Sequence, residues 1–348
     1  MILWIIAFTS RGCQLANEIC KGLSDQGMNC EAYAKTSARS HNLVTVKTSL
    51  ETWTARAFNE SDAIVFIGAS GIAVRSIAPH IKSKTQDPAI IVVDDLGQHV
   101  ISLLSGHIGG GNDLTLKIAK LIGAEPVITT ATDIHGVFSV DTFASKNNMI
   151  IDDMSLAKDI SSRLLEGDII GLASDHPLIG KVPRELSINE ECDLGIHISS
   201  KNNKSPFIRS LRLIPRNIVI GIGCRKGVSE EKIAEKVFDV FDINELSFKG
   251  AHAVASVDLK ANESGLLKFC EKYNLALKFF NEVELRALPD IGFSHSDFVN
   301  SITGIGNVCE RAAMAASTNG RLVQKKVASE GVTVALVMEE FTVAFEGV

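Results

Sequence analysis

Short apolar runs rich in Val, Ile and Ala alternate along this chain with glycine turns and helical stretches. The clearest unit begins with Ala63–Ile67, continues through a turn at residues 68–71 and enters a helix that ends near Pro79. A second unit begins at Asn217, and a further apolar run at residues 2–8 fits a buried first strand. Because strand–turn–helix units bury their apolar faces in layers, this alternation favours an α/β fold with mostly parallel sheets.

Two segments depart from that alternation and predict antiparallel hairpins. The runs Ala89–Val93 and His99–Leu104 are joined by a polar turn, and residues 322–337 contain a second pair of apolar runs around a glycine. Towards the middle of the chain the periodic signals weaken. We therefore expect three parts, namely an N-terminal α/β domain at 1–133, a smaller middle domain or linker region at 134–215, and a C-terminal α/β domain at 216–348.

The charge balance and the cysteines exclude several classes of protein. The 348 residues include 35 Lys and Arg against 41 Asp and Glu, a formal net charge of −6, so the surface as a whole does not attract nucleic acid or anionic membranes. The 7 cysteines show no C-x-x-C pair and no zinc-site spacing, which indicates reduced thiols in a cytoplasmic protein. The first apolar run is too short to span a bilayer and lacks the basic start of a signal peptide.

The strongest local signal is the segment Ser105-Gly-His-Ile-Gly-Gly-Gly-Asn112, between a predicted strand and a predicted helix. The N–H groups of its three consecutive glycines, with the helix N-terminus behind them, suit a phosphate, a carboxylate or a developing oxyanion. His107 is suited to proton transfer near neutral pH, and Asn112 adds a hydrogen-bond donor. The candidate substrate-binding residues of this segment are Ser105, Gly109, Gly110 and Gly111. The alternative is a flexible loop whose histidine only caps the helix.

Other turns at strand ends in the first half of the chain carry groups that bind anions. They comprise a glycine turn, two cations beyond it and two threonines after a later strand. These candidate ligand-binding residues are Gly68, Ser70, Gly71, Arg75, Lys84, Thr129 and Thr130. Ligands of α/β proteins gather at the carboxyl ends of strands, which favours this interpretation. Loop cations are often only solvated, however, and the threonines could simply cap the next turn.

The C-terminal block has its own glycine turn, at residues 221–227. Its third glycine stands one position too late for a dinucleotide fingerprint, and Asp242 ends a helical stretch rather than a strand, so the pattern argues against NAD. Arg225 and Lys226 are better suited to binding carboxylate or phosphate. Cys224 fits a small loop residue better than a metal ligand or a nucleophile.

Two further features of the C-terminal block are less specific. The turn at residues 303–307 precedes an Ala-rich helix and is another candidate for anion binding, whereas Lys260 and Glu263 fit an exposed charge pair. The candidate ligand-binding residues of this block are Gly223, Cys224, Arg225, Lys226, Gly304 and Gly306. Several anion-binding turns spread over two blocks suit one large polyanion better than a single nucleotide.

The order of these motifs resembles the CbiG family of cobalamin biosynthesis over nearly the whole chain, and least in residues 134–215. In the N-terminal half the resemblance rests on Gly68-Ala-Ser-Gly-Ile72, Arg75, Asp87-Pro88, Val92-Val-Asp94, Ser102-Leu-Leu-Ser-Gly-His107, Gly109-Gly110, Asn112 and Thr129-Thr-Ala-Thr-Asp133. In the C-terminal half it rests on Gly221-Ile-Gly-Cys-Arg-Lys-Gly227, Ser256-Val-Asp-Leu-Lys260, Thr303-Gly-Ile-Gly306, Val308-Cys-Glu310 and Gly331-Val-Thr-Val-Ala335.

Members of this family are cobalt-precorrin-5A hydrolases, so the resemblance implies an enzyme that opens a δ-lactone on a ring-contracted cobalt corrinoid with water. Acetaldehyde leaves, and cobalt-precorrin-5B is the product. The many carboxylates of such a substrate fit the scattered anion-binding turns. Cobalt arrives inside the substrate, so we expect no cofactor and no metal site in the protein. We expect no nucleic-acid or membrane partner, while a homodimer and contacts with other cobalamin-pathway enzymes stay open.

For this reaction we expect the catalytic residues to be His107 and Asn112. His107 would deprotonate the attacking water, and the amides of 109–111 with the Asn112 side chain would hold the lactone oxyanion. Peripheral carboxylates would be anchored by the cations Arg75, Lys84, Arg225 and Lys226.

Two other functions remain as alternatives at this point. A corrinoid carrier could use the same turns to hold and transfer the intermediate without catalysis. An enzyme acting on nucleotides or sugar phosphates could use the glycine turns as phosphate loops, although the chain lacks a Walker lysine pattern. Product analysis separates the first alternative from the hydrolase, and ligand protection by ATP or NAD would favour the second.

Overall fold

The computed structural model describes residues 1–38, 40–83, 86–107, 109–188, 192–202, 206–289, 292–295 and 306–345. The chain divides into two compact units, Met1–Thr142 and Phe143–Val348. The α-helices described are α1 (Ser10–Ser24), α2 (Leu50–Glu60), α3 (Ser70–Ile77), α4 (Gly111–Ile122), α5 (Ala131–Ile134), α6 (Val140–Lys146), α7 (Met154–Glu166), α8 (Glu230–Ile243), α9 (Ser264–Lys272), α10 (Glu282–Arg286) and α11 (Cys309–Ala316).

The first unit is built on one seven-stranded sheet with the strand order β3-β2-β1-β4-β5-β6-β7. Its strands are β1 (Ile2–Ala7), β2 (Asn29–Ala34), β3 (Val44–Thr45), β4 (Ala63–Ile67), β5 (Ala89–Val93), β6 (His99–Leu104) and β7 (Glu125–Val127). Neighbouring strands run parallel except for the β5–β6 hairpin, where Val93 pairs with Val100. The α/β class and this hairpin are confirmed.

Alternation along β1 explains why this sheet is covered on both faces. Leu3 and Ile5 pack with buried residues of α1 and α4, whereas Trp4 and Ile6 pack on the other face with α2 and α3. Since side chains of a strand point alternately to opposite faces, a fully apolar run such as β1 requires apolar layers on both sides. Thr9 begins α1 by accepting a hydrogen bond from a first-turn N–H.

The second unit contains a five-stranded sheet in the middle region, with the order β11-β9-β12-β13-β8. The sequence signals are weak there because several elements are very short. The middle strands are β8 (Met149–Ile151), β9 (Ile170–Ser174), β10 (Leu178–Ile179), β11 (Leu186–Ser187), β12 (Leu194–Ile198) and β13 (Arg209–Pro215), with β10 pairing outside this sheet. Gly171 and Gly195 are partners in the ladder, and the ring of Phe207 lies where their side chains would be.

The C-terminal part of this unit carries a second five-stranded sheet, ordered β16-β15-β14-β18-β17. Its strands are β14 (Ile218–Cys224), β15 (Ala251–Val257), β16 (Ala276–Phe280), β17 (Gly320–Ser329) and β18 (Val332–Glu339), and β19 (Val343–Ala344) pairs with β10. The predicted final hairpin is confirmed as the antiparallel pair β17–β18. The Ala-rich helix α11 packs so closely that a Cβ at Gly221 would overlap the carbonyl oxygen of Cys309.

Within the second unit, buried polar contacts join the middle sheet to the C-terminal sheet. Asn217 is 1% exposed; its Oδ1 accepts from Ser200 Oγ at 3.0 Å and its Nδ2 donates to the carbonyl oxygen of Glu339 at 3.2 Å. Asp152 at the end of β8 forms ion pairs with Arg212 and Lys249. The 143–345 part of the chain is therefore held together by specific hydrogen bonds as well as by apolar packing.

Candidate functional site

The glycine loop between β6 and α4 is closed by hydrogen bonds of its own backbone. The N–H of Gly110 donates to the carbonyl oxygen of His107 at 2.9 Å, and that of Gly111 donates to the carbonyl oxygen of Ser105 at 3.1 Å. Gly110 adopts a left-handed φ of 74°, which a glycine accepts without strain. Two of the three amides that the sequence offered to an oxyanion are therefore already engaged within the loop. The N–H of Gly109 has no hydrogen-bond partner among the described residues.

Asn112 ties the loop to the sheet through its buried side chain. Its Oδ1 accepts from Ser102 Oγ at 2.7 Å, and its Nδ2 donates to Thr130 Oγ1 at 3.2 Å. Its main-chain N–H donates to the carbonyl oxygen of Gly106 at 2.9 Å, and a Cβ at Gly106 would lie 2.5 Å from Oδ1. With both ends of its amide occupied and only 6% of its surface exposed, Asn112 is arranged to position the loop.

His107 lies in the middle of this loop and is partly exposed. Its carbonyl oxygen accepts from the Gly110 N–H. The carbonyl oxygens of the two residues before it, Ser105 and Gly106, accept from the N–H groups of Gly111 and Asn112. The imidazole is therefore carried by a backbone with several internal hydrogen bonds rather than by an open, solvated turn. Such a support suits a proton-transfer group, which must hold its orientation towards the reacting atoms.

The topology of the sheet places this loop at the amino ends of the parallel strands. Because β6 runs antiparallel to β5, its last residues pair with the start of β5, where Leu104 pairs with Ile90. In agreement, a Cβ at Gly109 would lie 3.5 Å from the Ala89 nitrogen, and one at Gly110 would lie 3.8 Å from the Met1 methyl group. The expectation that ligand-binding turns gather at the carboxyl ends of strands therefore does not describe this loop.

The glycine turn after β4 lies at the opposite, carboxyl edge of the same sheet. Gly68 donates its N–H to the carbonyl oxygen of Val93 at 2.8 Å, and Ser70 begins α3. The Arg75 guanidinium is exposed and lies 3.5 Å from where a Cβ of Gly71 would be. A five-residue strand rises roughly 15 Å, so this turn and the glycine loop cannot contact the same small group.

The remaining candidates of the first unit divide between these edges. Thr130 contacts the glycine loop, because its Oγ1 accepts from the Asn112 side chain. Its chain neighbour Thr129 is exposed. Arg75 also lines a cavity of about 380 Å³ together with residues of α2 and α3. Lys84 lies outside the described residues.

In the second unit, the turn after β14 lies at the carboxyl edge of the C-terminal sheet. Arg225 donates its N–H to the carbonyl oxygen of Gly331 at 2.8 Å, and its side-chain stem packs against that glycine. Gly223 accepts from Thr333 Oγ1 at 3.1 Å. Burial raises the pKa of the half-buried Cys224 thiol, so it is protonated at neutral pH. The exposed side chains of Arg225 and its neighbour Lys226 therefore extend from a firmly anchored turn.

Lys260 and Glu263 belong to this edge, which the sequence interpretation as an exposed pair missed. The Lys260 ammonium lies 3.0 Å from Glu263, and the two side chains are only 23% and 15% exposed. Glu263 also accepts from the Gly227 N–H at 3.1 Å, and this bond together with the lysine lowers the pKa of its carboxyl. Their position just beyond β15 could have indicated this, because β15 is the neighbour of β14 in the sheet and both strands end at the same edge.

Gly306 and Asn307, the described residues of the 303–307 segment, directly precede α11. Gly304 lies outside the described residues, and the ring of His295 occupies the space where a Cβ of Gly306 would be. The Asn307 Oδ1 accepts from the Glu310 N–H in the first turn of α11 at 2.9 Å. Glu310 is fully buried and accepts from Ser294 and from a β17 N–H, so the first turn of α11 is anchored to the sheet.

The described residues contain neither a cluster of metal ligands nor a membrane-spanning helix. No group of three His, Cys, Asp or Glu side chains there is arranged to hold a metal ion. In the same part of the chain, no helix is both long and apolar enough to cross a membrane.

Comparison with known proteins covers all three regions of the chain. Family models described as cobalamin synthesis G N-terminal, cobalamin biosynthesis central region and cobalamin synthesis G C-terminus match residues 52–133, 138–215 and 218–337. A cobalt-precorrin-5A hydrolase of Salmonella typhimurium is 36% identical over 81% of this chain and 84% of its own length. A protein of the same name from Priestia megaterium is 27% identical over 96% of this chain and 94% of its own.

A solved structure of a cobalamin biosynthesis protein G homologue from Sulfolobus solfataricus covers 97% of each chain at 24% identity, with a TM-score of 0.44. A similarity at that TM-score adds nothing to the description of this fold. The matches to the three family regions, together with the 36% identity to the Salmonella protein over most of both chains, settle the relationship. This chain belongs to the CbiG, or cobalamin synthesis G, family.

Proposed function

We propose that this protein is a cobalt-precorrin-5A hydrolase that acts on a corrinoid of the cobalamin pathway. The observation that carries the proposal is its 36% identity to the Salmonella hydrolase over 84% of that protein's length. The organised loop around His107 supports a catalytic role, because a protein that only carried the corrinoid would not need a proton-transfer group on a fixed backbone.

The reaction begins with the opening of the substrate's δ-lactone by water at the glycine loop. His107 takes a proton from the water as its oxygen bonds to the lactone carbonyl carbon, and the lactone C–O bond breaks to leave a carboxyl group and an alkoxide. The alkoxide becomes the carbonyl of acetaldehyde as its C–C bond breaks. The conjugated macrocycle receives that electron pair, so this step depends on the substrate's own electronics.

The roles of the loop residues follow from which of their polar groups are occupied. Asn112 holds the loop on the sheet, since its amide is bonded to Ser102 and Thr130. The Gly109 N–H, which has no partner among the described residues, is the amide assigned to the lactone oxygen in this mechanism. Asn112 thus acts as a positioning residue in this mechanism, in place of the oxyanion contact expected from sequence.

Binding of the corrinoid depends on its peripheral carboxylates. In the second unit Arg225 and Lys226 bind them from the anchored turn after β14, beside the ion pair of Lys260 and Glu263. Cobalt enters and leaves within the substrate.

The test is acetaldehyde release during anaerobic incubation of the purified protein with cobalt-precorrin-5A. The aldehyde is trapped as a hydrazone and the corrinoid is weighed by mass spectrometry, with the Salmonella hydrolase as positive control on the same batch. One acetaldehyde per corrinoid, with the matching mass loss, supports the proposal. Corrinoid binding without release would instead identify a carrier.

Replacing His107 with alanine tests the proposed general base. We expect turnover to fall roughly 10²–10⁴-fold while corrinoid affinity is kept. His99→Ala is the matched control, because His99 is exposed at the start of β6 beside Asp94 and has no part in the reaction. A fully active His107→Ala protein would remove His107 from the mechanism.

A further inference from the structure

Ser105 adopts an unfavourable backbone conformation at the exit of β6. Its φ is 55°, in the left-handed region that side chains with a Cβ rarely occupy. Glycine would relieve this strain, and glycines stand at several other positions of the same loop. Strain of this kind persists only where the surroundings enforce it, and it concentrates at functional sites.

The hydroxyl of Ser105 is a second, independent anomaly. Its Oγ is buried and has no hydrogen-bond partner among the described residues. A buried hydroxyl without a partner destabilises the folded state, and an alanine at this position would avoid that cost. The fold therefore explains neither the presence of a Cβ at residue 105 nor the presence of its oxygen.

The surrounding glycines are packed directly around this residue. A Cβ at Gly109 would lie 2.6 Å from the Ser105 Cβ, and one at Gly111 would lie 3.1 Å from the Ser105 carbonyl oxygen. Gly109, whose N–H also has no partner in the described part of the loop, thus packs against the serine side chain. Two residues in contact therefore each carry a hydrogen-bond donor without a partner among the described residues, and His107 is two residues from both in the chain.

We propose that the Ser105 hydroxyl and the Gly109 N–H together donate hydrogen bonds to the lactone carbonyl oxygen as it becomes an oxyanion. This inference rests on the proposed function. Ser105 is partly exposed as a residue, so rotation about its Cα–Cβ bond turns the hydroxyl towards the loop surface when substrate arrives. Donors that carry no competing partner stabilise such a charge effectively, because no existing hydrogen bond has to be broken.

Ser105 keeps its proton in this step and forms no covalent bond. The new bond joins the water oxygen to the carbonyl carbon, the water proton goes to His107, and the lactone C–O bond breaks as the carbonyl re-forms. A serine nucleophile would instead form an acyl-enzyme, which adds the mass of the opened corrinoid to the protein. Intact-protein mass spectrometry during turnover distinguishes the two mechanisms.

The experiment compares Ser105→Ala with a matched control, Ser210→Ala. Ser210 on β13 also has a buried hydroxyl without a partner in the described structure, and it has no part in the reaction. For Ser105→Ala we expect kcat for acetaldehyde release to fall roughly 10²–10³-fold with KM unchanged, and a urea midpoint equal to or above that of the wild type. Ser210→Ala should keep full turnover with the same change in midpoint.

Each other outcome overturns the inference in a distinguishable way. Full turnover of Ser105→Ala rejects the role of the hydroxyl and leaves the hydrolase function intact. Loss of turnover together with a lowered urea midpoint indicates a structural serine, and an acyl adduct on Ser105 indicates a nucleophile. No acetaldehyde from the wild type, with an active positive control, overturns the proposed function and this inference with it.

Discussion

Removing the Asn112 side chain should weaken the first unit as well as its proposed reaction. Asn112→Ala breaks the hydrogen bonds to Ser102 Oγ at 2.7 Å and to Thr130 Oγ1 at 3.2 Å in a site that is 6% exposed. Each contributes about 1 kcal/mol, so we expect the free energy of unfolding to fall by about 2 kcal/mol. In a unit of this size that lowers Tm by roughly 6 °C.

The two tryptophans make this loss measurable in the first unit alone. Trp4 and Trp53 are the chain's 2 tryptophans, and both lie in the buried aromatic cluster of that unit, with ring centroids 5.8 Å apart. Fluorescence excited selectively in tryptophan therefore follows unfolding of the first unit while the second remains silent. Thermal and urea unfolding recorded in this way give the change directly.

A matched control shows whether the buried amide is responsible. Asn59→Ala, at an exposed position of α2 in the same unit, should change stability by less than about 0.5 kcal/mol. An Asn112→Ala protein with wild-type stability and reduced turnover would refute the positioning role and restore a direct contact with substrate.

Three further predictions concern the second unit. Arg225→Ala should weaken corrinoid binding roughly tenfold, seen by titration, with little change in kcat; lost turnover at unchanged affinity would contradict the binding role. Gly221→Ala places a Cβ on the carbonyl oxygen that begins α11 and should destabilise this unit by about 3 kcal/mol, measured by circular dichroism in urea. Burial raises the pKa of the Asp152 carboxyl, but hydrogen bonds from Lys249 and Arg212 outweigh this and lower it overall. Stability from this group is therefore present above the unfolded pKa of about 4 and is lost as pH falls through the folded pKa, so urea midpoints of Asp152→Asn should respond less to acid than those of the wild type.

The strongest elements of the fold could be predicted from local pattern. Continuous apolar runs indicated β4 and β5, and the polar turn between residues 93 and 99 indicated that β6 turns back beside β5. Helix α4 begins at Gly111, within the segment that the sequence placed between strand and helix; the pattern missed this first turn because its residues have low helix propensity. In the middle region, two-residue strands such as β11 have no pattern long enough to detect.

The candidate site, too, could be predicted from the sequence only in part. The sequence indicated the segment from Ser105 to Asn112 as a candidate site. Consecutive glycines and a histidine between a strand and a helix can be recognised without knowing which distant residues they contact. It did not indicate that Lys260 and Glu263 are partly buried beside the turn after β14, since contacts between neighbouring strand ends depend on strand order. The three-domain division from sequence stays a prediction beside the two compact units.

The sequence by itself determined the α/β class, the family and the loop that is the leading candidate for chemistry, since composition, local periodicity and motif order are properties of the chain. Only the tertiary structure decided which edge of the sheet carries that loop, because β6 runs antiparallel to β5 and therefore ends at the amino edge of the parallel strands. It also decided that the Asn112 amide is occupied and that the Ser105 hydroxyl has no partner within the described part of the chain. Hydrogen-bond partners distant in sequence are set by packing, and packing is a property of the whole fold.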